Sequence, residues 1–191
     1  GARLPLPGPG AQRPAQRGLK NIVLLEKEDF FGQGATGRCA GGVRYQFSTE
    51  INVKLSIESL PMIERFKEEI GQEVSYKQCG YLLVATNEKD ANAFRYNVKL
   101  QNKLGVSTQL LSGDEVRARL PLMKFDDAIV GAFNPKDGTV DPNSVVMGYI
   151  SAAQKMGVKA FTGAEVVGVS LRGDNVEEVQ TTLGTIKTRM I

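Results

Sequence analysis

Apolar positions along the chain change their period several times, and each change marks an element. "NIVLLE", Asn21 to Glu26, is a continuous apolar run of strand length, the pattern of a strand buried on both faces in a parallel sheet. From Ser48 to Ile70 the residues Ile51, Leu55, Ile57, Leu60, Ile63 and Phe66 recur at a roughly helical spacing closed by Gly71, and Pro61 predicts a kink or a split. "YLLVAT", Tyr81 to Thr86, reads as a strand, after which Asn87 caps a helix to Leu104 that Gly105 stops. "SGDE", Ser112 to Glu115, is a capping box before a short helix ended by Pro121, and "AIVGAF" is another strand. Asp141-Pro142 supplies a cap and a first-turn proline for a helix that Gly157 terminates. "VKAFTG", "EVVGVSLRG", "NVEEVQTT" and "GTIKTRMI" then predict a strand followed by a meander.

This order predicts an α/β chain with an α+β insertion, a dinucleotide-binding layer interrupted by a second region. The layer is expected over 19–75 and 140–191, and the second region over 76–139. Residues 1–18, "GARLPLPGPGAQRPAQRG", hold four of the eight prolines and show no period. They read as a leader without a fold of its own: a flexible tail, an expression scar or translation in a shifted frame.

Composition narrows the chemistry. The chain has 191 residues, 41% hydrophobic and 24% charged, the balance of an ordinary globular protein. Its charge of +3, from 24 basic and 21 acidic residues, is scattered rather than gathered into the basic stripe that nucleic acid requires. No apolar run reaches membrane-spanning length. With no histidine and two distant cysteines, Cys39 and Cys79, neither a zinc site nor a Ser-His-Asp triad is expected. The thiols read as reduced and the compartment as cytoplasmic, with Cys79 in the core and Cys39 a small filler.

A strand that ends in an acid, as this one does at Glu26, is placed to bind ribose hydroxyls; equally, a strand-end charge reaches solvent. The following loop is rich in small residues: Gly32, Gly34, Ala35, Thr36, Gly37, Ala40, Gly41 and Gly42. Such a loop lets a ligand approach the backbone closely, and Arg38 can offset phosphate charge.

"LLEKEDFFGQGATGRCAGGVRYQFSTEIN" resembles the flavin-loop region of FAD-dependent oxidoreductases of the D-amino-acid oxidase superfamily, in the branch of glycine oxidase and the sarcosine oxidase beta subunits. "DGTVDPNSVVMGYISAAQKMGVKAFTGAEVVGV" resembles the same family, and the likeness extends over Leu19 to Ile191. It implies an FAD-binding Rossmann-like domain, part of a substrate-side sheet and a β-meander. The family's opening strand and glycine fingerprint are not matched, so the resemblance also implies a chain truncated at both ends. Position by position, it implies ribose binding by Glu26, with Lys27 beside the adenosine. Ala35, Thr36, Gly37, Arg38, Cys39, Ala40, Gly41, Gly42 and Val43 would pass the pyrophosphate and flavin, and the Val166 backbone would meet adenine. Arg44 aligns near the flavin and substrate, where it orients a carboxylate or steadies reduced-flavin charge, or else simply meets solvent. No catalytic base is assigned, because Tyr45, Tyr81 and Lys136 are equivalent on sequence. The implied reaction is oxidation of a small amine or amino acid, such as sarcosine, glycine, dimethylglycine or proline, with oxygen or an electron-transfer subunit as acceptor. A hydroxy-acid or glycerol-phosphate flavin dehydrogenase, and a non-catalytic nucleotide-binding remnant, are the alternatives.

Overall fold

The computed structural model describes residues 12–191. They fall into two compact units: the described part of Gly1–Cys39 with Ile70–Gln72 and Pro142–Ile191, and a second unit of Ala40–Glu69 with Glu73–Asp141. The division therefore falls inside the glycine-rich loop, earlier than the boundary at residue 75 expected from sequence. The helical segment after Ser48 joins the second unit because its apolar stripe packs there on Tyr45 and Val106.

In the first unit, β1 (Val23–Leu25) pairs in parallel with β7 (Lys159–Phe161), in the register Val23↔Lys159 to Leu25↔Phe161. Helix α6 (Pro142–Lys155) leads into β7, with Pro142 at its first position and Gly157 at φ 91 beyond its end. Next come β8 (Val166–Arg172), β9 (Asn175–Thr181) and β10 (Gly184–Lys187), an antiparallel meander ordered β10-β9-β8. The expected leader needs correcting at its end, since α1 (Gln12–Gln16) is helical and lies against α6. Gly18, at φ 85, stops it: Gly18 N–H bonds to the Ala15 carbonyl and Leu19 N–H to that of Pro14, a Schellman closure. The rest of that expectation, residues 1–11, lies outside the described residues.

In the second unit, β3 (Tyr81–Ala85), β5 (Val130–Asn134) and β4 (Gln109–Ser112) form an antiparallel sheet with β5 in the middle. Helix α4 (Glu88–Lys103) covers one face, where Ala91 packs with Ala85 and Val130. Its N-cap, Asn87, accepts the Asp90 N–H as expected. Ser112 caps α5 (Gly113–Arg119) in a complete capping box with Glu115. β4 was not anticipated because only four residues, QLLS, separate turn from cap. Two-residue strands β2 (Gly42–Val43) and β6 (Gly138–Thr139) also escaped, being too short to show a period. The predicted split helix is α2 (Glu50–Glu64) and α3 (Phe66–Ile70), but the interruption is at Arg65. The helix runs through Pro61, and the Arg65 N–H closes on the carbonyls of Pro61 and Ile63. Among the described residues no helix is long and apolar enough to cross a membrane.

Candidate functional site

Glu26 follows β1 directly, and its backbone is held on both sides: its N–H bonds to the Phe161 carbonyl and its carbonyl accepts the Ala164 N–H, both at 2.9 Å. The Glu28 carbonyl accepts the Gly163 N–H at 2.8 Å. These bonds bring the end of β1 beside the start of β8, so Glu26 and Val166, distant in sequence, become neighbouring elements of one edge. The half-buried Glu26 carboxylate accepts the Glu28 N–H at 3.1 Å through one oxygen. Lys27 is exposed and stands 3.7 Å from Glu28. Beside this edge a cleft of about 760 Å³ is walled by Leu24, Leu25, Val166, Val169, Val179 and Ile186, among others. Its volume lies in the range of small-molecule sites, roughly 300–1,000 Å³.

The loop after Glu26 closes on itself. A Cβ on Gly37 would land on the Gly32 carbonyl oxygen, so only glycine permits this fold-back. Thr36–Arg38 is a single 3₁₀ turn, and Gln33 through Cys39 are exposed. Cys39 is exposed, not a filler; its Sγ–H points to the Thr36 carbonyl at 3.1 Å. Cys79 is exposed as well, which corrects its expected place in the core: it sits between the Lys77 bridge and β3, where no strand alternation turns it inward.

The loop continues as Ala40–Val43 in the second unit, where long-range bonds fix it. β2 pairs with β6 as Gly42↔Thr139 and Val43↔Gly138, and the Gly41 carbonyl accepts the Val140 N–H. Asp137 is wholly buried and accepts from the Tyr45 N–H at 2.8 Å and the Gln46 Nε2 at 2.9 Å. Burial pushes its carboxyl above the ordinary range, while those two hydrogen bonds and nearby Arg44 pull it back. Sequence reasoning missed this latch, since "PKDGT" announces a turn but says nothing of a partner across the chain. Burial also pushes the Tyr45 hydroxyl up to about 12, which removes Tyr45 as a base near neutrality. Arg44 is half-buried, its guanidinium carbon 5.3 Å from the Tyr81 ring centre and 5.8 Å from that of Phe47. Of the aromatics near the loop, Tyr45 packs with Val53 and Leu60 and Phe47 leans on that cluster, whereas Phe30 is exposed.

A family model described as FAD dependent oxidoreductase matches residues 11–191. The chain belongs to the FAD dependent oxidoreductase family. Within that family, the mitochondrial dimethylglycine dehydrogenase of Rattus norvegicus is 31% identical over 93% of this chain and 20% of its own length. Sarcosine oxidase subunit beta of Rhodobacter capsulatus is 26% identical, with 88% of this chain and 42% of that protein covered. Among solved structures, L-proline dehydrogenase from P.horikoshii superposes with a TM-score of 0.84 at 33% identity, covering 94% of this chain and 47% of its own. The chain thus spans less than half the length of these relatives. The mixed α/β arrangement is the FAD-binding fold of that proline dehydrogenase. FAD is the cofactor of the family, and the residues present fit it: an exposed small-residue loop, a carboxylate at a strand end and an apolar cleft beside it.

Proposed function

We propose that this chain is the FAD-holding part of an oxidoreductase that oxidises a small amino acid or amine at the carbon beside its nitrogen. The observation that carries the reading is the bonded edge joining Glu26 to the Ala164–Val166 segment, in a chain whose family match runs from residue 11 to 191. In this reading the free oxygen of Glu26 accepts ribose hydroxyls, with Lys27 beside the adenosine. The Val166 backbone pairs with the adenine edge. Backbone N–H groups of Ala35 to Val43 follow the pyrophosphate and flavin, and Arg38 offsets phosphate charge. Arg44 orients a substrate carboxylate, for which its charge and donor fork are suited. Bound FAD supplies the hydride acceptor, and water hydrolyses the imine that results.

Sarcosine, glycine, dimethylglycine and proline are the substrates this reading names. The relatives cited act by name on amines or amino acids, which favours this class over a hydroxy acid. A relative named as a subunit beta supports a partner chain, to which this reading assigns electron transfer as one route beside oxygen. Two exposed free thiols fit a reducing, cytoplasmic setting, although the rat relative is mitochondrial by name. The test is a titration of the chain with FAD, followed by flavin absorbance and fluorescence. Saturable spectral change, weakened in Glu26→Ala, is expected; a flavin spectrum unchanged by the chain would overturn the reading.

A further inference from the structure

Arg44 is held by aromatic faces. Two aromatic ring faces lie within 6 Å of its guanidinium carbon, Tyr81 at 5.3 Å and Phe47 at 5.8 Å. The acid close enough to act on it through space, Asp137, has both oxygens engaged by the Tyr45 N–H and Gln46 Nε2. Among the described residues no hydrogen bond or ion pair occupies the guanidinium. A cation fixed by ring faces, with its planar N–H fork unspent, is suited to a planar two-oxygen anion more than to a spherical one.

Tyr81 itself is fixed from two directions. Its position opposite Asn134 in the β3–β5 ladder sets the backbone, and its carbonyl accepts from Gln46 Nε2 at 2.9 Å. Its hydroxyl lies 3.0 Å from where a Cβ on Gly42 would stand, so the absence of a side chain at Gly42 gives the phenol its place. Gly42, Tyr81, Arg44 and Phe47 therefore form one chain of contacts within the second unit.

We infer that Tyr81 is a positioning residue for Arg44, holding with Phe47 a guanidinium that receives a monocarboxylate. The inference deepens the proposed function and rests on its assignment of a carboxylate to Arg44. Tyr81 acts through its ring, so phenylalanine at this position suffices and an aliphatic side chain does not. Gly42 acts through the space it leaves, so enlarging it displaces the tyrosine hydroxyl.

The test needs no cofactor. The arginine Nε–H resonances of the 191-residue chain are followed by NMR during titration with sodium acetate, and with sodium chloride at matched ionic strength. The Arg44 signal, assigned by its loss in Arg44→Gln, should carry a ring-current shift and move with acetate well beyond its response to chloride. Tyr81→Phe should keep acetate affinity within about two-fold, while Tyr81→Leu and Phe47→Leu should each weaken it about five- to ten-fold. Gly42→Ala should weaken acetate binding, and Gly42→Ala combined with Tyr81→Phe should restore it, because the phenylalanine lacks the oxygen that the new methyl meets. A merely structural role for Tyr81 would leave the Arg44 ring-current shift unmoved in folded Tyr81→Leu, whereas a positioning role requires that shift to fall. Equal response to acetate and chloride, or unchanged affinity in folded Tyr81→Leu, would overturn the inference. If Tyr81→Leu unfolds, Phe47→Leu and the Gly42 pair decide. The flavin reading is judged separately by FAD binding, so that either can fail while the other stands.

Discussion

The unit beginning at Ala40 buries two apolar clusters, Tyr45, Val53, Leu60 and Val106 in one and Ala85, Ala91 and Val130 in the other. In the unit that contains β1 and the meander, by contrast, Val167 and Leu171 of β8 are each 63% exposed, and β1 pairs with β7 on one edge. The glycine-rich loop crosses from one regime to the other. Its first half is closed by a local 3₁₀ turn, lies against α6 and faces solvent over Gln33 to Cys39; its second half is held by hydrogen bonds to residues nearly a hundred positions away. A cofactor needs accessible backbone and room, whereas a charged group aimed at a substrate needs a fixed mount. In the proposed reading the cofactor meets the exposed half of the loop, and Arg44 stands on the fixed half.

The largest break of this comparison should come at the mount. Asp137→Ala leaves the Tyr45 N–H and one of the two Gln46 Nε2 hydrogens unpaired in a buried place, the other staying on the Tyr81 carbonyl, and should cost about 2–4 kcal/mol in urea unfolding followed by far-UV circular dichroism. Hydrogen exchange in β8 and β9 should change little by the same substitution. Glu26→Ala should act in the opposite sense: FAD affinity falls by about ten- to a hundred-fold, from lost hydrogen bonds to a charged acceptor, with unfolding nearly unchanged. Isothermal titration beside urea unfolding separates these two outcomes. A smaller effect, about 1 kcal/mol, is expected for Ser112→Ala, which removes the capping box of α5 within the well-packed unit.

The smallest effect at ordinary pH, and a sharper probe of burial, is alkaline titration. Unfolded tyrosine ionises near 10, while burial holds Tyr45 protonated up to about 12. The unfolded chain therefore loses this proton first, and stability falls as pH rises from about 10 to about 12. Tyrosinate absorbance should show Tyr45 titrating late, beside Tyr76, whose hydroxyl burial also raises, and Tyr45→Phe should remove the Tyr45 component together with that part of the alkaline loss. A Tyr45 that titrates with exposed tyrosines would show that this cluster is open to water.

What could be read in advance follows a physical divide. Asn87, Ser112 and Pro142 act within a turn of themselves, so their helices were legible. The place of Glu26 at a strand end and the exposure of the small-residue loop were legible for the same reason, their geometry being set within a few residues. β2, β6 and the Asp137 latch were not, because each is defined by a partner far along the chain. The helical turn at Gln12–Gln16 was hidden by Pro14, which reads as a breaker although the first turn of a helix tolerates it. Tyr81 was visible only as one tyrosine among several until the sheet set its ring over Arg44.

The hydrogen bond from the Ala164 N–H to the Glu26 carbonyl has a consequence in time. During synthesis its two ends leave the ribosome far apart, at about 5–20 residues per second an interval on the order of ten seconds or more. Throughout that interval the carboxylate end of β1 waits without its neighbour. A nucleotide captured at this edge would find it complete only after α6, β7 and the first residue of the turn into β8 have emerged.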